Sequence, residues 1–513
     1  MAVMVQSIGL KGLEGYTVSV EVEKLEGVES MVIIGLPGAA VKESKERVLA
    51  ALKGFQCDLA DQKVIIHLSP AEERKNGALF DMAIAVAMLR SIGEIKKDIP
   101  ADTAFIGAIS LNGAIHPGKG ILPAILAAGK SGIRRLFLPN CSLPIREIEG
   151  LELVFVEHLK DVVDHLSGQP VLPLSCPAVT LEDELPSIEG KDFKHIIGHG
   201  KAKRALEFAA AGGHNVLMAG PPGCGKSLLA ESMPSIMPQL WQEAQLENIS
   251  LYELAGAPLT SRVLPPFRQP HHSASAVSII GGGSNPRPGE VSLANHGILF
   301  LDEMAEFTKK TLDMLRQPLE TGKVTISRAQ MTVTYPARFL LLAATNPCPC
   351  GYLGSHTRYC TCTPRQIQAY HSRISGPIED RIDILLSLLP VPFHNGKPEN
   401  NESSEQIRNR VSMARERQYE RYGKMATNSA VPVETFMSMI SLSEGQKRFL
   451  HNLAQKQHWS NRVHMKMIRL ARTISDLRGE NSISDESLWE AVTLRKTHQQ
   501  IQPAKKGSWK HGS

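Results

Sequence analysis

Residues 220–227 read Gly220-Pro221-Pro222-Gly223-Cys224-Gly225-Lys226-Ser227, a complete G-x-x-x-x-G-K-S. The apolar run Asn215–Ala219 comes before it and the helix-prone Leu228–Met233 after it, the strand–loop–helix setting such a loop needs. Glycines there let backbone N–H groups turn inward around phosphates, and the helix N-terminus beginning near Leu228 adds partial positive charge. Lys226 is expected to reach the β- and γ-phosphates of ATP, and the Ser227 hydroxyl to ligate Mg²⁺. A chance match is the competing reading, and the flanking strand and helix argue against it.

Two further apolar runs end in polar groups suited to the same chemistry. Gly297-Ile-Leu-Phe-Leu-Asp302-Glu303 describes a buried strand that delivers carboxylates at its C-terminal end, where α/β sheets bind ligands. Asp302 would hold Mg²⁺, and Glu303 would orient and polarise the attacking water. Arg338-Phe-Leu-Leu-Leu-Ala-Ala-Thr345 is a third strand, and it ends in Asn346, whose side chain could touch the γ-phosphate or the water. Together these strands predict an α/β ATPase core.

Working outward, 513 residues exceed what one hydrophobic core supports, roughly 250–300. Apolar residues at 42% and charged residues at 21% exclude wholesale disorder and fibrous classes. Residues 1–167 alternate β-rich runs (Thr17–Val22, Met31–Ile34, Lys63–His67, Thr103–Ile109, Arg135–Leu138) with helical patterns (Val41–Leu52, Phe80–Ser91, Ile121–Lys130), which predicts a mixed α/β domain. Residues 168–190 carry four prolines without helical period and read as a linker. The core follows over 191–392, a polar loop over 393–405, helices over 406–500 and a fraying tail over 501–513. No apolar run approaches the ~18 residues of a membrane span and no secretory leader pattern opens the chain, so a cytoplasmic protein without a membrane partner is expected.

The net charge of +5 is unevenly placed: residues from 401 onward hold 19 Lys and Arg against 11 Asp and Glu. That excess suggests a polyanionic partner, with solvated helix faces as the plainer reading. Four of the eight cysteines fall between Cys348 and Cys362. Cys348-Pro-Cys350 and Cys360-Thr-Cys362 could wrap a tetrahedral ion with four thiolates, and in a reducing compartment Zn²⁺ is the natural candidate; free thiols or a redox pair are the alternative.

The set of P-loop, Asp302-Glu303 and strand-end Asn346 resembles the AAA+ ATPases, whose ATP lies between subunits of a ring and is completed by a neighbour's arginine. By that resemblance Arg381, in Asp380-Arg381-Ile-Asp383, is the trans arginine, with Arg373 in reserve. A planar guanidinium suits charge spread over several phosphate oxygens. An internal ion pair of Arg381 with Asp380 or Asp383 is the competing reading. Ser460-Asn-Arg462 opens a helix with apolar residues at helical spacing, and similar helices in AAA+ lids supply a sensor-2 arginine to the γ-phosphate, here Arg462. A solvated basic face formed by Arg462, Lys466 and Arg469 is the alternative.

The long stretch between Ser227 and Asp302, with Phe267-Arg-Gln-Pro-His271-His272-Ser and Gly281–Gly289, resembles the helix-2 insert of the magnesium-chelatase and MCM branch. Lys323–Tyr335 resembles its pre-sensor-1 β-hairpin, and hairpins there project into the ring channel. Arg328, with Lys323, would meet a threaded DNA backbone, unless the hairpin merely packs on a neighbouring subunit. His271 and His272 are read as structural or phosphate-side hydrogen bonders.

Asn346-Pro-Cys-Pro-Cys-Gly-Tyr, Phe267–Ser273 and Ser372–Asp383 together resemble the ComM/YifB-type magnesium-chelatase-like ATPases over nearly the whole chain. That resemblance implies a hexameric ring motor driving DNA branch migration, a helicase-type activity, during natural transformation. A chelatase motor acting on a partner protein and a protein remodelling factor are the alternatives.

Pro70–Asp81 and Ile115–Ala124 resemble the Lon-protease domain, which has a ribosomal S5 domain 2-like fold. The alignment puts Leu79 where a Lon nucleophilic Ser would stand, and Leu122 or Ala124 where its Lys would stand. A proteolytically dead domain, for oligomerisation or DNA contact, is expected.

Overall fold

The computed structural model describes residues 3–28, 30–55, 62–144, 148–169, 191–259, 261–328, 331–354, 358–391 and 401–496. Most of the expected linker (170–190), residues 393–400 of the expected loop and the tail 501–513 lie outside the described residues. Among the described residues no helix is long and apolar enough to cross a membrane.

The N-terminal part folds as a seven-stranded mixed sheet in the order Ser30–Ile34, Gln62–Ser69, Glu14–Glu26, Val3–Lys11, Thr103–Phe105, Arg135–Pro139, Glu152–Val156. In Glu14–Glu26 the alternation of Val18, Val20 and Val22 with polar residues buries one face, as a period of two requires. Helix Asp81–Ile92 buries every residue from Asp81 to Leu89, which explains its almost unbroken apolar sequence. The expected single strand Thr103–Ile109 is in fact two: Thr103–Phe105 joins the large sheet, and Ala108–Ile109 turns away to pair with Ile115–His116. The break falls at Gly107, where a Cβ would lie 2.8 Å from Ile115 Cγ2.

The central part is a parallel five-stranded sheet ordered Phe267–Arg268, Ile298–Leu301, Leu340–Thr345, Val216–Ala219, Ile384–Ser387. Its inner strands are buried on both faces, so they read as apolar runs rather than alternations. One face packs against helix Gly200–Gly212 and the C-terminal helices in a shared apolar cluster. The other packs against the insert and the antiparallel hairpin Lys323–Arg328/Met331–Pro336.

The C-terminal helices include Ser404–Tyr422, Glu444–Gln457, Asn461–Arg478 and Asp485–Lys496. Ser403, Ser443 and Ser460 cap the first three by accepting from backbone N–H groups. Much of the basic excess seen in the sequence is consumed internally here. Arg421 and Arg472 both pair with buried Asp476, Arg410 with Glu207 and Glu402, and Arg478 with Glu486 and Glu490.

The N-terminal domain is tied to the core at two places. Glu253, on helix Gln242–Ala255 of the core, accepts from the N–H groups of Gly120, Ile121 and Leu122 at 2.9, 2.7 and 3.3 Å. In addition, the turn at Gly12 rests on the hairpin, where a Cβ would lie 2.6 Å from Val333 Cγ1.

Candidate nucleotide site and its distant arginines

The loop 220–227 sits at the C-terminal end of the Val216–Ala219 strand, between the ends of its two neighbours. Gly220 N–H donates to Thr345 O at 3.2 Å. Gly223 and Gly225 take φ of +75° and +84°, a region open to glycine at no steric cost, so the loop can wrap inward. Lys226 begins the following helix and is 8% exposed. Its ammonium donates to Gly220 O (2.6 Å), Pro221 O (2.9 Å) and Asn346 Oδ1 (3.1 Å). Burial lowers the Lys226 pKa, while nearby Asp302 and Glu303 favour its charged form.

Ser227 Oγ donates to Asp302 Oδ2 at 3.0 Å. A hydroxyl beside a carboxylate is a hard-oxygen pair that suits Mg²⁺, with room left for waters and phosphate oxygens. Glu303 follows with φ +48° and ψ +45°, a left-handed backbone that costs a non-glycine residue about 1–2 kcal/mol. Its carboxylate is half exposed and lies 3.6 Å from His272 Nδ1. The structure thus brings together Lys226, Ser227, Asp302, Glu303 and Asn346, all read from the sequence.

Two features of this corner gave no sequence signal. His199, itself left-handed at φ +55°, reaches the loop beside Cys224 and Gly225, and burial lowers its pKa. Ile197, Leu389 and Val391 are large apolar side chains left 40–67% exposed around the same loop, joining Leu228, already read from the sequence as part of it, and Val391 lies against Gly198.

Arg381 and Arg462 are elsewhere. Arg381 precedes the strand Ile384–Ser387, and its carbonyl accepts from Asn215 Nδ2 at the start of Val216–Ala219. These strands are parallel, so Arg381 lies at the opposite end of the sheet from the phosphate loop, about 13 Å away along the strand at ~3.3 Å per residue. Its guanidinium pairs with Glu320 at 2.7 Å rather than with Asp380 or Asp383, is 13% exposed, and has a buried Nε with no acceptor. Arg462 pairs with the same Glu320 at 3.0 Å and therefore sits beside Arg381, not over the phosphate loop of its own chain. Arg373 pairs with Glu306 at 2.7 Å, three residues beyond Glu303.

Lys466 and Arg469 are not on a solvated face. Lys466 pairs with buried Asp383 at 2.9 Å, and Arg469 donates to the carbonyls of Asn428, Ser429 and Val431. A single helix thus sends its basic stripe to three destinations.

The hairpin buries Val324, Ile326, Val333 and Tyr335 and turns Lys323, Thr325, Ser327, Arg328 and Thr332 outward. Arg328 stands at its far end and Lys323 at its root, five residues apart in extended backbone, roughly 17 Å. The two cations therefore stand at opposite ends of the hairpin. Next to Arg328 lies the insert's own short hairpin: Arg328 Nη2 is 3.6 Å from where a Gly282 Cβ would stand, and Arg287 is exposed on the paired strand. Arg287 was not singled out from the sequence; Gly281-Gly282-Gly283-Ser-Asn-Pro-Arg287, a glycine-rich turn with one cation, was its signal.

Leu79 and Leu122 are 4% and 2% exposed and share one apolar cluster. Hydrocarbon fills the place where the Lon resemblance would set a Ser–Lys pair, and Leu79 Cδ2 comes within 2.9 Å of a Cβ position on Gly118.

The four cysteine sulfurs of Cys348, Cys350, Cys360 and Cys362 all lie within 4.8 Å of one another. Backbone N–H groups, that of Tyr352 first, lower the Cys350 thiol to about 6, whereas burial raises that of Cys348.

The chain is similar to known proteins over nearly its whole length. A family model described as magnesium chelatase, subunit ChlI, matches residues 192–395; related ChlI models match 20–142 and, for the C-terminal part, 401–495. The chain is 37% identical over 500 residues to competence protein ComM of Haemophilus influenzae, covering 96% of this chain and 97% of that protein. It is 35% identical over 489 residues to the uncharacterized protein YifB of Escherichia coli, covering 94% and 95%. A Lon protease of Clostridioides difficile is 27% identical over 174 residues, 31% of this chain and 22% of that protein.

Proposed function

The chain belongs to the ComM/YifB-type magnesium-chelatase-like proteins, and we propose that it is an AAA+ ATPase working as an oligomeric, hexameric ring that moves DNA. One observation carries this reading. The phosphate loop and the arginine pair Arg381–Arg462 occupy opposite ends of one sheet, so a complete site needs two copies placed head to tail.

In this arrangement Lys226 and the loop N–H groups would bind the phosphates, and Ser227 with Asp302 would hold Mg²⁺, which when bound would supply positive charge at the phosphoryl group. Glu303 polarises the attacking water, and Asn346 fixes Lys226 and the water's position. Arg381 and Arg462 arrive from the neighbour after leaving Glu320, which holds them until then. The apolar rim of Ile197, Leu389 and Val391 offers a seat for the base.

Arg328 and Arg287, at adjoining hairpin tips, meet the phosphate backbone of DNA, with Lys323 at the hairpin root roughly 17 Å further along. The name of the ComM relative places that protein in competence, and branch migration of recombination joints is the corresponding role here. The ChlI family models support a second reading, a motor subunit that remodels a partner protein for metal insertion. The apolar Leu79–Leu122 cluster speaks against proteolysis in either case.

The test is ATP turnover with and without forked, single- and double-stranded DNA across a salt series. We expect stimulation that declines as salt rises, because phosphate contacts release counterions. Glu303→Gln is expected to bind ATP and assemble while losing at least about a hundredfold in turnover. Turnover indifferent to every DNA would favour the partner-protein reading, and normal turnover in Glu303→Gln would remove that residue's role.

A further inference from the structure

Between the Asn346 strand end and the Arg381 segment lie four cysteines that the nucleotide chemistry does not use. Among the described residues, Cys348, Cys350, Cys360 and Cys362 are the only group of three or more metal-capable side chains with converging ligand atoms. Their sulfurs stand 3.4 Å (Cys348–Cys350), 3.7 Å (Cys348–Cys360) and 3.6 Å (Cys350–Cys360) apart. A disulfide requires about 2.0 Å. Four sulfurs arranged tetrahedrally at about 2.3 Å from one ion are about 3.8 Å from each other. The spacings among Cys348, Cys350 and Cys360 match the second geometry, and Cys362 Sγ lies within 4.8 Å of each of them. Cys350 N–H also donates to Cys362 Sγ at 3.4 Å, the kind of outer hydrogen bond that orients a thiolate ligand. Four soft thiolates select Zn²⁺ over the hard Mg²⁺ expected at Ser227 and Asp302.

The position of these cysteines gives the site a task. Cys348 follows Asn346 by two residues and is fully buried. Gly351 takes φ +82° and presses onto the phosphate loop: a Cβ there would lie 2.6 Å from Pro222 Cδ and 3.9 Å from Asn346 Cγ. On the far side, Cys362 adjoins Thr363, which caps helix Pro364–His371 in a reciprocal capping box. An ion at the four sulfurs would therefore fix the Pro222 contact, the Asn346 strand end and the start of that helix in one rigid unit.

We propose that Cys348, Cys350, Cys360 and Cys362 bind one Zn²⁺ and that this metal knuckle braces the phosphate loop through Gly351 and Pro222, so that zinc loading sets nucleotide affinity. The coupling rests on the reading of residues 220–227 as the ATP site; the metal site does not.

The experiment uses the full chain, purified without chelator. Elemental analysis is expected to give about one zinc per chain, and Cys360→Ser/Cys362→Ser is expected to lose it. Dissociation constants for a fluorescent ATP analogue are then measured on loaded protein, on protein stripped by a chelator and on stripped protein given Zn²⁺ again. Stripping is expected to weaken binding roughly tenfold, about 1.4 kcal/mol, and re-addition to restore it, which separates loss of the brace from loss of the fold. Gly351→Ala is expected to keep its zinc and still bind the analogue more weakly, while Lys226→Ala sets the baseline. No stoichiometric zinc overturns the metal site, and equal affinity in loaded and stripped protein overturns the brace. Loaded wild type that binds no analogue overturns the ATP-site reading and the coupling with it, while the zinc count is judged separately.

Discussion

His214 shows how a residue outside the candidate site can set the conditions under which the fold holds together. Its ring is fully buried before the Val216–Ala219 strand, with Nε2 2.8 Å from Thr473 Oγ1 on the C-terminal helix Asn461–Arg478. Burial lowers its pKa to about 4; Lys466 and Arg469 push the same way, and Asp383 opposes them. Unfolded, the ring protonates near 6.5, so between about 6.5 and 4 the unfolded chain binds the extra proton. Stability from this group is complete above 6.5 and declines on acidification through that window, by up to about 3 kcal/mol. Asp383 acts in the same sense at lower pH: burial raises its pKa, but Lys466 and the other partners outweigh it and hold it below the ordinary carboxylate value. Thermal midpoints of wild type are expected to fall between pH 7.5 and pH 5, with a shallower fall in His214→Asn. Parallel pH profiles would show that His214 is not the titrating group.

Helix Ile121–Lys130 illustrates the same dependence at the scale of elements. It starts at Gly120 with φ +86° and no side-chain cap of its own, leaving its first N–H groups unsatisfied by local sequence. Glu253, more than 130 residues later, supplies the acceptor and meets the positive end of the helix with a carboxylate. Glu253→Ala is expected to cost about 1–2 kcal/mol locally, as loss of a cap does. Amide exchange at Ile121 and Leu122 should then quicken by roughly tenfold or more, with the active-site loop little changed. Exchange unchanged at those amides would mean the contact does not fasten the N-terminal domain. The Asn461–Arg478 helix shows the limit of periodicity in another way. The spacing of Val463, Met467, Leu470, Ala471 and Ile474 gave the helix and its apolar stripe, but not that Lys466 would turn inward to Asp383 while Arg462 went to Glu320.

For the whole molecule the decisive fact is the separation of Arg381 and Arg462 from the phosphate loop of their own chain. In the proposed ring, Lys226→Ala spoils a copy's own nucleotide site but leaves its arginines intact, and Arg381→Ala does the reverse. Each variant alone is expected to be inactive. Mixed together they should regain a measurable fraction of ATP turnover, because an Arg381→Ala copy can present a sound phosphate loop to a Lys226→Ala neighbour. Two inactive variants that stay inactive on mixing, while still forming joint assemblies, would rule out a shared site. The same scale changes the meaning of the C-terminal basic excess. Its arginines largely serve Asp476, Glu207, Glu402, Glu486 and Glu490, so the DNA reading rests on the hairpin tips instead.

Local chemistry was enough to pick out residues 220–227, the Asp302-Glu303 strand end, Asn346 and the cysteine cluster as groups the fold brings together. In each case a few consecutive residues carry both the backbone shape and the reacting groups. The hairpin and most strands of the N-terminal sheet were equally legible, some from alternation of apolar and polar residues and others, such as Arg135–Pro139, from a short apolar run buried on both faces. Only the folded chain decided which end of the sheet Arg381 occupies, that Glu320 gathers Arg381 and Arg462, that Arg328 and Arg287 stand together and Lys323 apart, and that Gly351 bears on Pro222. Those facts join residues far apart in the chain, and no local pattern encodes them; they follow from strand order and packing, which sequence spacing does not measure.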